Sequence, residues 1–350
     1  MTAAIQRCTQ CILSANFPKI KFDEQGVCNY CRKEDKDSYQ NDQFIAEARQ
    51  RIETLFSERP RNSEYDAIVC YSGGKDSTYT LQLAVEKYGL KVLAFTLDNG
   101  FISRVAFKNI NKVVDALNVD HWVFRPGRNN FNAITRASIT QAVYPKHSLA
   151  RISAGCNSCI SIVNTTALKL ALEKNIPFIL AGFTLGQIPI NGIIYKNHYQ
   201  FLAESRQQST DKLRQAAGSS VDEYLGLSES LLQRTDNYPH NVNILCVEDL
   251  NEQQIKDAIA PLGWVAPKDV DGCSSNCRLN TFNNYAHESI FGFNPYEMEL
   301  SHLIRKGLMT RSEALDKIAE RPEGQIIPLM NELSITEDDL LQAREKYADK

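Results

Sequence analysis

Short apolar runs alternate with stretches of helical period along this chain. Ala67-Ile68-Val69-Cys70 is followed, after a glycine turn, by Leu81, Ala84, Val85 and Tyr88 at i, i+3, i+4 and i+7. That spacing predicts a strand over 67–71 and a helix ending near Gly89. Val92 to Leu97 predicts a second strand, ending in Asp98-Asn99-Gly100. Ser103 then suits the cap of a helix that shows Ile110, Val113, Val114 and Leu117 on one face. Further strands are predicted at His121–Phe124, Phe178–Ala181 and Asn243–Val247. Strands alternating with helices predict an α/β fold with a doubly wound parallel sheet. Such sheets hold ligands beyond the carboxyl ends of their strands.

The rest of the pattern divides the chain. Phe44 to Phe56 reads as one amphipathic helix, and the polar stretch Arg59 to Ser63 marks a boundary. Residues 190–241 are Gln-rich and poorly periodic, so they read as an insertion over the site or at a subunit interface of a homo-oligomer. After Pro295 the chain turns helical. Thr310-Arg311-Ser312-Glu313 matches a capping box, and Thr336 with Asp339 a weaker one. Three segments result: 1–62, a main body of 63–290 that contains the insertion, and 291–350. Hydrophobic residues make up 43% and charged residues 23%, which fits a globular domain. A net charge of −3 argues against a general grip on nucleic acid, leaving room for a local basic patch. No apolar run reaches the length of about 18 residues that a membrane span needs. The first residues lack the apolar core of a secretory signal. The expected location is cytoplasmic.

The turn after the first strand carries the most chemistry. Tyr71-Ser72-Gly73-Gly74-Lys75-Asp76-Ser77 joins a strand to a helix N-terminus, where free amides and the helix dipole favour an anion. Gly73 and Gly74 allow close approach of the backbone, Lys75 adds charge, and Ser72 and Ser77 add hydroxyls. Asp76 suits a divalent cation riding on phosphates. The spacing excludes a Walker A loop, which places four residues between its glycines. The form S-G-G-K-D-S resembles the PP-loop of the ATP pyrophosphatase superfamily, whose members cleave ATP between the α and β phosphates and pass AMP to a substrate oxygen. Asp98 and Gly182, at neighbouring strand ends, are candidate walls of the same ATP site.

Ten cysteines in a cytosolic chain read as metal or redox groups rather than disulfides. Cys8-x2-Cys11 and Cys28-x2-Cys31 stand sixteen residues apart. That spacing fits the structural zinc site of an N-terminal zinc-ribbon segment, with a four-thiolate iron site as rival. Cys156-x2-Cys159 and Cys273-x3-Cys277 form a second group. It is open to a second zinc, to a [4Fe–4S] cluster on three of the thiols, to sulfur or redox chemistry without metal, or to no role. Cys70 and Cys246 sit in apolar runs and read as core. The six histidines, from His121 to His302, form no metal-ligand pattern. Arg125, Arg128 and Lys146 are candidates for an anion, or solvated charges.

Several stretches together resemble a narrower group. Arg7-Cys8-Thr9-Gln10-Cys11, Phe22-Asp23-Glu24-Gln25-Gly26-Val27-Cys28-Asn29-Tyr30-Cys31, the 72–79 loop, Cys156-x2-Cys159 and Gly307 to Leu315 look like the N-acetyl sugar amidotransferases of surface-polysaccharide biosynthesis. The resemblance implies ATP with Mg2+ on the 72–77 loop, and Lys75, Asp76, Cys156 and Cys159 are the candidate catalytic residues. A substrate amide or carboxyl oxygen would take AMP, and ammonia from a separate glutaminase would displace it. The acceptor class implied is a nucleotide-linked N-acetyl sugar. PP-loop enzymes that thiolate transfer RNA resemble the same layout and imply the alternative, a sulfur donor with an iron–sulfur cluster.

Overall fold

A computed structural model of the chain describes residues 5–233, 237–322 and 324–348. Six strands, β1 (Ala67–Cys70), β2 (Val92–Leu97), β3 (Asp120–Phe124), β4 (Phe178–Ala181), β5 (Ile194–Lys196) and β6 (His240–Val242), form one sheet in the order β3-β2-β1-β4-β6-β5. All neighbours are parallel except β5, which runs against β6. The chain starts in the middle, at β1, winds outward through β2 and β3, then returns to place β4 on the other side of β1. The switch point is therefore between β1 and β4, where a crevice opens at the strand ends.

Fourteen helices are described: α1 (Asn29–Ser57), α2 (Lys75–Gln82), α3 (Arg104–Leu117), α4 (Arg128–Thr140), α5 (Ala154–Lys174), α6 (Tyr199–Ala217), α7 (Val221–Leu225), α8 (Glu229–Gln233), α9 (Glu252–Ile259), α10 (Leu279–Phe291), α11 (Glu297–Arg305), α12 (Arg311–Ala319), α13 (Ile326–Leu333) and α14 (Glu337–Ala348). Alternation along the strands sorts them. Ala67, Val69, Val92 and Ala94 pack with Ile52 and Phe56 of α1, Leu81 of α2 and Ile110 and Val113 of α3. Ile68, Leu93, Phe95 and Ile179 pack on the other face with Leu168, Ala171 and Leu172 of α5. Period-two side chains thus cover both faces of the sheet. A separate core joins α4, α10, α13 and α14, through Phe131, Phe282, Leu333 and Tyr347 among others.

Two sequence expectations need correction. Residues 244–247 form a 3-10 turn, and the strand lies just before it at His240–Val242. Ile244, Leu245, Cys246 and Val247 are all buried, so a continuous apolar run marked burial without marking extension. The helix read from Phe44 begins fifteen residues earlier, at Asn29, with Cys28 as its cap. Segment 190–241 contributes β5, β6 and α6–α8, and residues 234–236 within it lie outside the described set. Both C-terminal caps form: Thr310 and Glu313 bond reciprocally, and so do Thr336 and Asp339. Among the described residues no helix is long and apolar enough to cross a membrane.

Candidate active site at the strand ends

The 72–77 loop leaves β1 at the switch point. Gly73 has φ +78°, and a Cβ there would lie 2.7 Å from the Ala106 carbonyl oxygen and 2.7 Å from Ile110. Both contacts belong to α3, so the turn has no room for a side chain. Trp264 Nε1 donates to the Gly73 carbonyl at 3.0 Å and holds the turn from above. Gly74 caps α2, and Lys75 and Asp76 occupy its first turn. Gly73→Ala is expected to lower stability by about 1–3 kcal/mol. Thermal melting of the variant checks it.

The loop is braced from within. Ser77 Oγ accepts from the Ser72 amide at 3.2 Å, lies 3.0 Å from Ser72 Oγ, and donates to the Gly74 carbonyl at 3.2 Å. The Lys75 amide donates to Ser275 Oγ at 3.0 Å. Ser275 therefore stands where an anion at this helix end would stand. Tyr71 is buried beneath the turn, and its carbonyl accepts from the Thr96 hydroxyl at 2.6 Å.

Lys75 and Asp76 open into a cavity of about 430 Å³, whose walls include Trp264, Cys273, Ser275, Glu252, Glu299 and Lys317. Lys75 Nζ bonds Asp76 Oδ2 at 2.7 Å. Burial opposes the lysine's charge, but Asp76, Glu252 and Glu299 outweigh it and hold its pKa above the ordinary range. Glu252 is bridged by Lys256 at 2.6 Å and Lys317 at 2.8 Å. Burial would raise its carboxyl, yet Lys75 and Lys317 pull it down to about 2. Glu299 moves the other way. Burial pushes it up to about 7, Asp76 adds to that, and Lys75 opposes it. An ion pair and a neighbouring half-buried carboxyl thus face one space.

Other predicted residues lie elsewhere around the loop. Asp98 and Gly182 are not among the cavity's lining residues. Asp98 Oδ1 accepts from the Gly100 amide at 2.9 Å, and its carboxylate faces Arg125 at 3.6 Å. Gly182 lets β4 approach α2, since a Cβ would lie 2.8 Å from the Ser77 nitrogen. Arg128 stacks on Phe101, with its guanidinium carbon 4.3 Å from the ring centre, and pairs with Glu332. The sequence reading missed Glu252, Trp264, Ser275, Glu299 and Lys317. Each reaches the cavity from more than a hundred residues away, and spacing to the loop carries no trace of that.

The second cysteine group divides. Asn99, just past β2, donates to Cys159 Sγ and to Cys277 Sγ, both at 3.7 Å. Cys156, one turn before Cys159 on α5, accepts from Asn283 at 3.2 Å. Cys273 faces away, with its thiol on the Lys317 carbonyl at 3.7 Å and its residue in the cavity wall. Cys156, Cys159 and Cys277 thus share one neighbourhood and Cys273 another, so of the options open for this group the four-thiol site is not assembled. Burial pushes the Cys156 thiol up to about 12, and raises Cys159, Cys277 and Cys273 as well. Lys317 and Lys75 oppose that rise at Cys273, and burial outweighs them. Cys246 is buried in the main core, and burial raises both it and Cys70 to about 12, as suits core thiols.

The first group does assemble. The sulfurs of Cys8, Cys11, Cys28 and Cys31 all lie within 4.8 Å of one another. Cys8 and Cys31 are 3.9 Å apart, and Cys11 and Cys28 are 3.7 Å apart. A tetrahedron of Zn–S bonds would space its sulfurs about 3.8 Å apart. Amides of Cys11, Cys28 and Cys31 point at sulfurs of the set, at 3.5, 3.2 and 3.4 Å. Hydrogen bonds from Cys28 and Cys31 drive Cys11 far below the ordinary thiol range, while Cys28 and Cys31 are driven up in turn. Such a set favours negative charge that a metal would share. Arg311 donates to the Cys8 and Cys11 carbonyls at 3.3 and 3.0 Å. Arg311 thus ties the start of α12 to this site.

The ribbon is bolted to α11. Glu297, fully buried, accepts from Arg7 at 2.8 Å and from the Ser14 amide at 2.9 Å, and Ser301 Oγ accepts from the Ile12 amide at 3.3 Å. The same helix presents Glu299, Leu300 and Leu303 to the cavity.

No family model matches the chain. An uncharacterized protein of Methanocaldococcus jannaschii is 27% identical over 115 residues, covering 33% of this chain. The chain spans 40% of the length of that relative. Two solved structures superpose loosely. The U34-tRNA thiolase NcsA from Methanococcus maripaludis with its [4Fe-4S] cluster gives a TM-score of 0.34 at 14% identity, over 87% of each chain. NMN synthetase from Francisella tularensis gives 0.36 at 13% identity, over 87% of this chain and 95% of its own. Likenesses this loose carry no chemistry across, so the function rests on the geometry of the loop and its cavity.

Proposed function

We propose that this chain is a PP-loop ATP pyrophosphatase that adenylates a carbonyl or amide oxygen and exchanges it for ammonia-derived nitrogen. The observation that carries this reading is the Lys75–Asp76 pair on the first turn of α2, opening from a glycine turn into a cavity. The amide ends of α2 and the Lys75 ammonium would take the phosphates of ATP, displacing Ser275 from the Lys75 amide. Asp76 would hold Mg2+, which would neutralise charge on the departing pyrophosphate. The acceptor oxygen attacks the α-phosphorus, the bond to the bridging oxygen breaks, and pyrophosphate leaves. Ammonia then displaces AMP from the activated carbon. The protein's share of the first step is positioning and charge neutralisation. The resemblance to N-acetyl sugar amidotransferases supports a nucleotide-linked N-acetyl sugar as acceptor and a separate glutaminase as ammonia source. Zinc is the metal that best suits the Cys8, Cys11, Cys28 and Cys31 set.

One observation favours a second reading, sulfur transfer to RNA or a small molecule. Asn99 bonds both Cys159 and Cys277, and Cys156 lies one turn before Cys159 on α5, while Cys273 stands apart. Three thiols suit a [4Fe–4S] cluster with one iron open. The amidation reading predicts that Cys277→Ser keeps acceptor-dependent AMP formation within about threefold and lowers stability by about 1 kcal/mol. Turnover and melting of the variant, purified without oxygen, check it. Complete loss of product with iron lost from the protein would favour sulfur transfer.

A further inference from the structure

One carboxylate in the cavity has no task in the scheme above. Glu299 Oε1 accepts from the Thr184 hydroxyl at 3.2 Å, and its buried Oε2 has no hydrogen-bond partner. The neighbouring carboxylates are compensated, Asp76 by Lys75 and Glu252 by Lys256 and Lys317. No described lysine or arginine forms an ion pair with Glu299. The groups that face it are Lys75 and Asp76 from α2, Cys273 from the opposite wall, Tyr296 just before α11, and the Thr184 and Gln187 side chains. Glu252, Lys256, Lys317 and Glu320 share the cavity. A buried oxygen without a partner is costly as an anion. A carboxyl poised near neutrality, facing the space that Lys75 faces, is suited to exchange a proton with a reacting group.

We propose that Glu299 accepts the proton released when ammonia attacks the activated acceptor. The inference rests on the adenylation and amidation reading. The nitrogen lone pair forms the C–N bond, one N–H proton passes to the Glu299 carboxylate, and the C–O bond breaks with its electron pair on AMP. Glu299 returns the proton to solvent before the next turnover. The short link between the Cys8–Cys31 ribbon and α11 sets where this carboxylate stands.

The test compares wild type, Glu299→Gln, Glu299→Asp and Lys75→Ala, as full chains. The probes are ATP, UDP-N-acetylglucosamine and ammonium chloride, at constant free ammonia. Pyrophosphate exchange into ATP reads adenylation, and amidated product reads the second step. Carbon-13 NMR of glutamate carboxyls reads the proton without any acceptor. The expected result is a carboxyl titrating near neutrality in wild type and missing in Glu299→Gln. Product should fall in Glu299→Gln at least about 30-fold further than exchange does, and lose its rise with pH through neutrality, with Glu299→Asp restoring part of that rise. A wild type without such a carboxyl overturns the inference, and so does a Glu299→Gln variant in which exchange and product change equally. Absence of exchange in wild type, or its survival in Lys75→Ala, overturns the adenylation reading itself and the inference with it.

Discussion

Lys75→Ala removes AMP formation, by at least about 10³-fold, while the chain keeps its fold. The side chain belongs to none of the hydrophobic cores, and its one close partner is Asp76. Removing it leaves the carboxylates of Asp76, Glu252 and Glu299 around the space that the proposed reading gives to phosphates. On that reading the site would repel the group it is to bind. Because the lysine is a point charge at the end of a flexible stem, Lys75→Arg is not a conservative repair, and it should recover little. Pyrophosphate release, with circular dichroism as control, checks both variants. Full turnover in Lys75→Ala would remove the PP-loop assignment.

Cys8→Ser is the second large effect, and it falls on stability. Cys8 is fully buried, and its sulfur takes the Cys28 amide as well as standing in the four-thiol set. The surrounding cluster is small, with Leu13, Phe17, Phe293 and Met298 as its main apolar members. On the proposed reading, metal supplies the folding energy that a segment with so little core of its own lacks. The expected loss is at least about 3 kcal/mol, with metal absent from the purified protein. The damage should travel. Glu297, Ser301 and Arg311 hold the ribbon to α11 and α12, so a loosened ribbon frees the helix that carries Glu299. Melting and metal analysis decide the matter, and an unchanged melting temperature with unchanged metal content would refute the structural role.

Local pattern made much of this fold legible. The apolar runs of β1, β2 and β4 and the i, i+3, i+4 face of α3 are properties of neighbouring residues, and both appear in the structure, whereas the face read from Leu81 to Tyr88 runs past the end of α2 into a π-helical turn at Leu83–Lys87. Thr310 with Glu313 is likewise local and formed as read. Residues 244–247 misled because an apolar run records burial and not backbone extension. The candidate site was half legible. Glycine, lysine and aspartate sit together in the chain, so the loop announced itself. Glu252, Trp264, Ser275 and Glu299 arrive from distant segments, and only the fold brings them to Lys75. The second cysteine group shows the same limit. Spacing joined Cys273 with Cys277, while the turn between them sends the first to the cavity and the second to Asn99.

The most direct test is to purify the protein without oxygen and follow AMP and pyrophosphate release from ATP. Nucleotide-linked N-acetyl sugars with ammonia form one arm, and bulk transfer RNA with sulfide the other. Iron and zinc are counted on the same sample. The account predicts equal amounts of AMP and pyrophosphate, driven by the sugar, with about one zinc per chain. Release of ADP and phosphate in place of AMP would contradict it, as would release driven only by transfer RNA from a protein carrying about four irons per chain.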